Sequence, residues 1–218
     1  MSDWLTWQVI DSAFPTGAFA HSSGLESAWQ HGEIRTSGDL QQFVSGALQQ
    51  AAFAVLPLVN AAYRRPDDFE WLDGRADAFL LNHVANRASR VQGRALLATT
   101  GRVWPSPALT DFSRRASATS AHVAPVTGVA FRAIELPLAT VQRVVLFGTG
   151  RLVLAAAVRL GICGSYEAQR LQAASAPDLD DLLARAADLD VDDLAQTTPI
   201  TDILQGRHDR LYSRLFQS

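Results

Sequence analysis

Hydrophobic residues recur at three- and four-residue steps through almost the whole chain, and no convincing series of alternating apolar and polar positions interrupts them. The spacing predicts an all-α fold, a single-domain bundle of roughly ten helices. Helices are expected over Asp3–Ala13, Ser23–His31, Ser37–Arg64 with a break near Pro57, Asp67–Asn82, Ala85–Arg102 and Pro107–His122. Others are expected over Val126–Ile134, Pro137–Leu160, Ser165–Ala174, Leu179–Leu189 and Pro199–Phe216. The separators carry turn formers: Phe14-Pro15-Thr16-Gly17, Arg65-Pro66-Asp67, Trp104-Pro105-Ser106-Pro107 and residues 161–164 all hold proline or glycine. With 218 residues, 48% of them hydrophobic, the chain can bury one sizeable core, and residues 1–218 are expected to form one domain.

The last predicted helix has its own start signal and two faces. Thr198 supplies an N-cap, Pro199 occupies the position where a missing N–H costs nothing, and Asp202 adds negative charge to the first turn. Ile200, Ile203, Leu204, His208, Leu211 and Leu215 fall on one expected face, and Arg207, Arg210 and Arg214 on another. Residues 198–218 therefore read as a C-terminal docking helix and tail, one face packing while the other meets an anion. A helix that only closes its own domain, its arginines solvated, has the same pattern.

Charge and composition remove several classes. A net charge of −3 gives no field favouring nucleic acid or an anionic membrane. All 19 basic residues are arginine, which excludes Schiff-base lysines and a Walker A loop. Gly148-Thr149-Gly150 lacks the third glycine of a dinucleotide fingerprint and lies in a helical region, where small residues suit a close helix crossing. The lone Cys163 allows no intramolecular disulfide, and the histidines at 21, 31, 83, 122 and 208 have no metal-ligand spacing. The first residues lack the charge and apolar blocks of a signal peptide, and Arg151 and Arg159 interrupt the longest apolar run, Val144–Cys163; a cytoplasmic protein without a membrane span is expected. Seven aspartates face one arginine between Asp178 and Asp193, an acidic helix face that solvation explains and that leaves room for a basic partner.

Near the start, Ser23 and Glu26 have the spacing of a capping box, while Pro15 and Gly17 shape the turn before it. His21, Ser22 and Glu26 also offer a base, a nucleophile and an acid, so a small all-α hydrolase or transferase is the alternative from the enzyme class.

The segment RHDRLYSRLFQS, residues 207–218, resembles the C-terminal signature of the UreF family of urease accessory proteins, with Asp209 where glutamate is usual. DSAFPTGAFAHSSGLESAWQHGEI, from Asp11 to Ile34, looks like the family's opening pattern, which carries Pro15, Gly17, His21, Ser23, Gly24 and Glu26. A weaker match covers His122–Leu138 and Ala155–Leu171. There Ile162, Cys163 and Ser165 depart from the usual proline, leucine and glutamine, so a related scaffold serving a different metal centre is a further alternative. The resemblance implies a non-enzymatic, homodimeric maturation factor that binds UreD/UreH and recruits the GTPase UreG to apo-urease. It also implies that the whole complex handles nickel, with no tightly bound cofactor on this chain. The partner surface is expected at Arg159, Arg207, His208, Tyr212, Arg214, Leu215 and Phe216, with Arg159 and Arg214 the candidates for influencing GTP hydrolysis. Arg159 is equally expected to anchor a buried hydrogen-bond network. No catalytic residue and no metal ligand are assigned.

Overall fold

The computed structural model describes residues 3–218. Among them the chain is all-α, without strands: α1 (Asp3–Ile10), α2 (Leu25–Gln30), α3 (Ser37–Gln50), α4 (Leu56–Arg64), α5 (Phe69–Phe79), α6 (His83–Val103), α7 (Pro107–Ala116), α8 (Val123–Ala133), α9 (Leu138–Arg159), α10 (Ser165–Ala174), α11 (Ala176–Ala186) and α12 (Pro199–Gly206). The expected break near Pro57 is a π-helical turn over Ala51–Val55, which joins α3 to α4 in one continuous rod. Proline has no N–H to offer the carbonyl four residues earlier. That carbonyl, on Phe53, accepts instead from the Ala195 N–H at 3.0 Å, so the break fastens the segment that leads into α12.

The rod and α9 run through two hydrophobic clusters. Leu58, Val59 and Ala62 of α4 and Val141 of α9 join Leu72, Leu96, Leu109 and Val126 in the first, where Phe69 meets Phe112 edge-on with centroids 4.7 Å apart. Leu40, Leu48 and Leu56 of the rod join Leu25, Leu146, Val153, Leu182 and Phe216 in the second. Gly128 lets α8 lie against α4, since a Cβ there would stand 2.5 Å from the Val59 carbonyl oxygen. A Cβ on Gly150 would make only ordinary contact, 3.5 Å from the Leu48 and Gln172 side chains, and nothing lies over Gly148, so neither glycine of the pair is required by a close helix crossing. The rod and α9 are long and apolar enough to cross a membrane by length and composition alone, yet about half of each is buried inside the fold.

Several expected boundaries shift for identifiable reasons. The helix expected to reach His122 stops at Ala116, because the buried Asp73 carboxylate takes the N–H groups of Ala121 (3.0 Å) and His122 (2.7 Å) and Ala121 adopts a positive φ. His122 then hydrogen-bonds Ser89 at 3.1 Å and Asp77 at 3.0 Å, tying the start of α8 to α5 and α6. The acidic helix ends at Ala186 instead of Leu189, and two of its following aspartates are structural: Asp188 pairs with Arg64 and Asp190 with Arg65.

The end of α11 depends on Asn60, which is fully buried in α4. Its Nδ2 donates to the carbonyls of Ala186, Ala187 and Leu189, and its Oδ1 accepts from Gln142 at 2.8 Å. Asn60→Ala removes these bonds and leaves the Leu189 carbonyl without its recorded donor, while Ala186 keeps the Leu189 N–H and Ala187 keeps Gln142 and Arg64, so urea unfolding is expected to show a loss of about 1–3 kcal/mol. An unchanged midpoint would show that water reaches the site.

Candidate interaction site at the chain end

The first turn of this site is glycine-built. Gly17 (φ 74) opens a short 3-10 turn over Ala18–Ala20, and Ser23 (φ 53) and Gly24 (φ 86) are both left-handed immediately before α2. A Cβ on Gly24 would lie 3.1 Å from the Gln205 side chain, so this glycine lets α12 rest on the start of α2. Ser27 Oγ donates to the Leu204 carbonyl at 2.6 Å, and Asn82 at the head of α6 donates to the Asp202 carbonyl at 2.7 Å.

The expected capping box between Ser23 and Glu26 is not formed. With Ser23 left-handed, the N-cap position passes to Gly24 without a side-chain cap, and the Glu26 carboxylate turns elsewhere. Glu26 is 2% exposed and accepts the backbone N–H of Leu215 (2.6 Å) and of Phe216 (3.1 Å), together with His208 Nε2 (3.0 Å). These contacts explain why the helix expected to reach Phe216 ends at Gly206. Beyond it a 3-10 turn at His208–Arg210 gives way to an irregular segment. The expected apolar face of the helix is likewise corrected: Ile200 and Ile203 are 72% and 66% exposed, while His208 and Phe216 are buried. Thr198 makes no cap bond either, its hydroxyl lying instead near Gln50 Oε1, although Pro199 does open the helix.

The neighbouring residues complete a cradle. The Ser22 N–H and Oγ donate to the Ser218 main-chain oxygen at 2.6 and 3.0 Å, His21 Nδ1 meets Ser218 Oγ at 2.6 Å, and the Gln217 N–H donates to the Ala20 carbonyl. Gln30 Nε2 donates to the Ser213 carbonyl at 2.9 Å. Arg159, at the end of α9, is held between two rings, its guanidinium carbon 3.9 Å from the Phe19 centroid and 4.2 Å from that of Phe216. Its Nη1 also donates to the Phe19 carbonyl. Arg159 thus holds the Phe216 ring by stacking, and its one recorded hydrogen bond lies at the exposed surface and not in a buried network. Each stack contributes about 1 kcal/mol.

Outside the cradle, Asp209 takes a two-pronged bond from Arg87 at 2.8 and 3.0 Å and has Arg214 at 3.4 Å and His83 at 3.3 Å. The Arg87 hydrogen bonds hold the Asp209 carboxyl below its usual value. Arg207, Tyr212 and Arg214 are exposed, and Leu215 is 53% exposed although its neighbour Phe216 is 5% exposed. A shallow depression opens between α2, the end of α9 and the tail, lined by Trp29, Gln30, Leu160, Arg214 and Leu215 with Glu26 beneath.

Five of the seven expected partner residues thus face outward or line the rim, whereas His208 and Phe216 hold the tail from inside. The three residues of the enzyme alternative are also engaged: Ser22 and His21 with Ser218, and Glu26 with His208 and two amides. Among the described residues no three His, Cys, Asp or Glu side chains converge to hold a metal ion. Sequence reading missed Arg87 and His83, for which no local pattern exists. It also missed Ser27, Trp29 and Gln30, which lie inside the quoted opening motif.

The fold and site define an all-α protein whose chain end is folded into a buried carboxylate cradle and presents an arginine and aromatic surface. The UreF family model matches residues 34–176. The chain is similar to urease accessory protein F of Arabidopsis thaliana (37% identity over 99% of this chain and 92% of the relative) and of Oryza sativa subsp. indica (36%, 98% and 84%). Urease accessory protein UreF of Rhodopseudomonas palustris strain BisA53 is 32% identical over 98% of this chain and 91% of the relative. The chain belongs to the UreF family, and its role is accessory to urease.

Burial, then the charges of Arg87 and His208, lowers the His21 pKa from 6.5. A lowered histidine pKa means that the docked tail holds the neutral ring, so this contribution is complete above about pH 6.5 and is lost as pH falls through the docked-state value. Amide protection at Leu215 and Phe216 is expected to drop on acidification below that point, and His21→Asn to flatten the response; protection unaffected down to pH 5 would refute the coupling. Loss of the Asp209 pairs follows only at more acidic pH, since that carboxyl is shifted downward. Glu26→Ala is expected to weaken tail docking by about 3–5 kcal/mol, seen as rapid tryptic cleavage at Arg210 and Arg214 with helicity retained.

Proposed function

We propose that the chain is a non-enzymatic scaffold that binds UreD/UreH and recruits the GTPase UreG for nickel insertion into apo-urease. It acts as a cytoplasmic homodimer, and nickel is the cargo of the whole complex. The observation that carries this reading is the division of the chain end into an inner side fixed by Glu26, Ser22 and His208 and an exposed outer side. Tyr212 is fully exposed, and Leu215, Arg214 and Trp29 rim the depression beside it. A tail ordered in advance loses little further freedom on binding, and an aromatic and arginine set is what dominates contact energies. The relatives quoted above all carry names tying them to urease, which favours urease over another metal centre.

Influence on GTP hydrolysis falls to Arg214 more readily than to Arg159. Arg159 would have to leave two rings and a carbonyl to reach a phosphate, whereas Arg214 has one long contact with Asp209. The hydrolase alternative has no supporting geometry, because its residues face the tail.

Truncating the tail would strand Glu26 and confuse folding with binding, so surface variants test the contact better. Tyr212→Ala with Leu215→Ala is expected to weaken co-purification with UreD/UreH or UreG by about tenfold or more while thermal unfolding stays unchanged. Capture equal to wild type would remove the tail from the contact.

A further inference from the structure

We propose that α6 and the chain end form one continuous arginine surface that docks an acidic face of a partner protein. This deepens the reading above, in that the chain end is taken to face a partner, and adds a helix that no motif singled out. His83, Arg87, Val91 and Arg94 are exposed and follow one another by four, four and three residues, so they form a stripe about 16 Å long on one side of α6. No acid occurs in α6, and residues 198–218 contain two, Asp202, which meets Asn82, and Asp209. The two segments together hold seven arginines, at positions 87, 90, 94, 102, 207, 210 and 214.

Asp209 joins the two segments. Arg87, His83 and Arg214 converge on this one carboxylate, which leaves positive charge in surplus where α6 meets the tail. Arg94, Arg207 and Arg210 are exposed and enter no ion pair among the described residues. The rest of the molecule is correspondingly acidic, since the whole chain carries −3 and the Asp178–Asp193 segment alone holds seven aspartates. The charge is therefore sorted into regions.

Two features favour a protein over a nucleic acid. Exposed apolar side chains, Val91, Tyr212 and Leu215, lie among the guanidinium groups, as in a protein contact. The basic residues also form one confined patch in a net-negative chain, which suits a short cluster of carboxylates better than a long phosphate track.

The test uses the full chain and a labelled glutamate homopolymer of about 20 residues, with duplex DNA of matching charge as comparison, at about 50 and 500 mM salt. Binding of the homopolymer at low salt, lost at high salt and weakened about tenfold in the double variant Arg94→Glu with Arg210→Glu, would support the proposal. Asp180→Arg with Asp192→Arg, on the opposite charge region, is expected to bind at least as well as wild type. No homopolymer binding, binding unaffected by the arginine reversals, or tighter binding of DNA would each overturn it. Circular dichroism of each variant checks the fold. Because no urease maturation partner is used, failure here leaves the scaffold reading standing, and failed co-purification there leaves this charge measurement standing.

Discussion

A carboxylate shut away from water needs donors, and Glu26 takes all of its recorded tail contacts from residues more than 180 positions further along the chain. Stranding such a charge costs several kcal/mol, so the buried α2 and the docked chain end stabilise one another. Two of the donors are backbone N–H groups, which any sequence could supply. The third, His208, and the Phe216 ring beneath Arg159 fix which residues arrive.

Docking in this way sets what the tail can show. Leu211 is extended, and at the end of the chain Phe216 points in, Gln217 out and Ser218 in, the alternation of an extended strand instead of the repeat of a helix. Tyr212 and Leu215 are then held outward by their buried neighbours His208, Phe216 and Ser218. Holding the display from below spares the outer side chains any structural duty. Under the proposed scaffold role, that separation would let the contact be reshaped without loosening the fold.

Helices, their separators and the break before Pro57 were legible because each follows from nearest neighbours: apolar spacing, proline's missing N–H, glycine in turns. The start of the tail was legible as far as Pro199 for the same reason. Its course beyond Gly206 was not, since His208, Leu211 and Leu215 kept helical spacing while Glu26, remote in sequence, drew the backbone into another path. Ser23 and Glu26 misled in the mirror-image way: their spacing matched a capping box, but a left-handed Ser23 withdrew the hydroxyl and the tail claimed the carboxylate. The family resemblance identified both motifs without saying that they touch. That they form one site is a tertiary fact, and it accounts for two patterns so far apart in the chain.

The absence of lysine acquires meaning at the same site. Arg159 lies between two aromatic rings and donates to a carbonyl, an arrangement that needs a flat cation with donors at its edge. Arg87 grips Asp209 through two nitrogens, as Arg65 grips Asp190 and Arg115 grips Glu70. An ammonium has neither the plane nor the fork, so each of these pairs would become a single point contact with less orientation. A biased genome is enough to explain why arginine is common. It does not explain why a guanidinium plane is used at Arg159 and Arg87, where α9 and α6 meet the chain end; at these two joints the geometry calls for arginine, beside the bonds made by Glu26, Ser22 and Ser27.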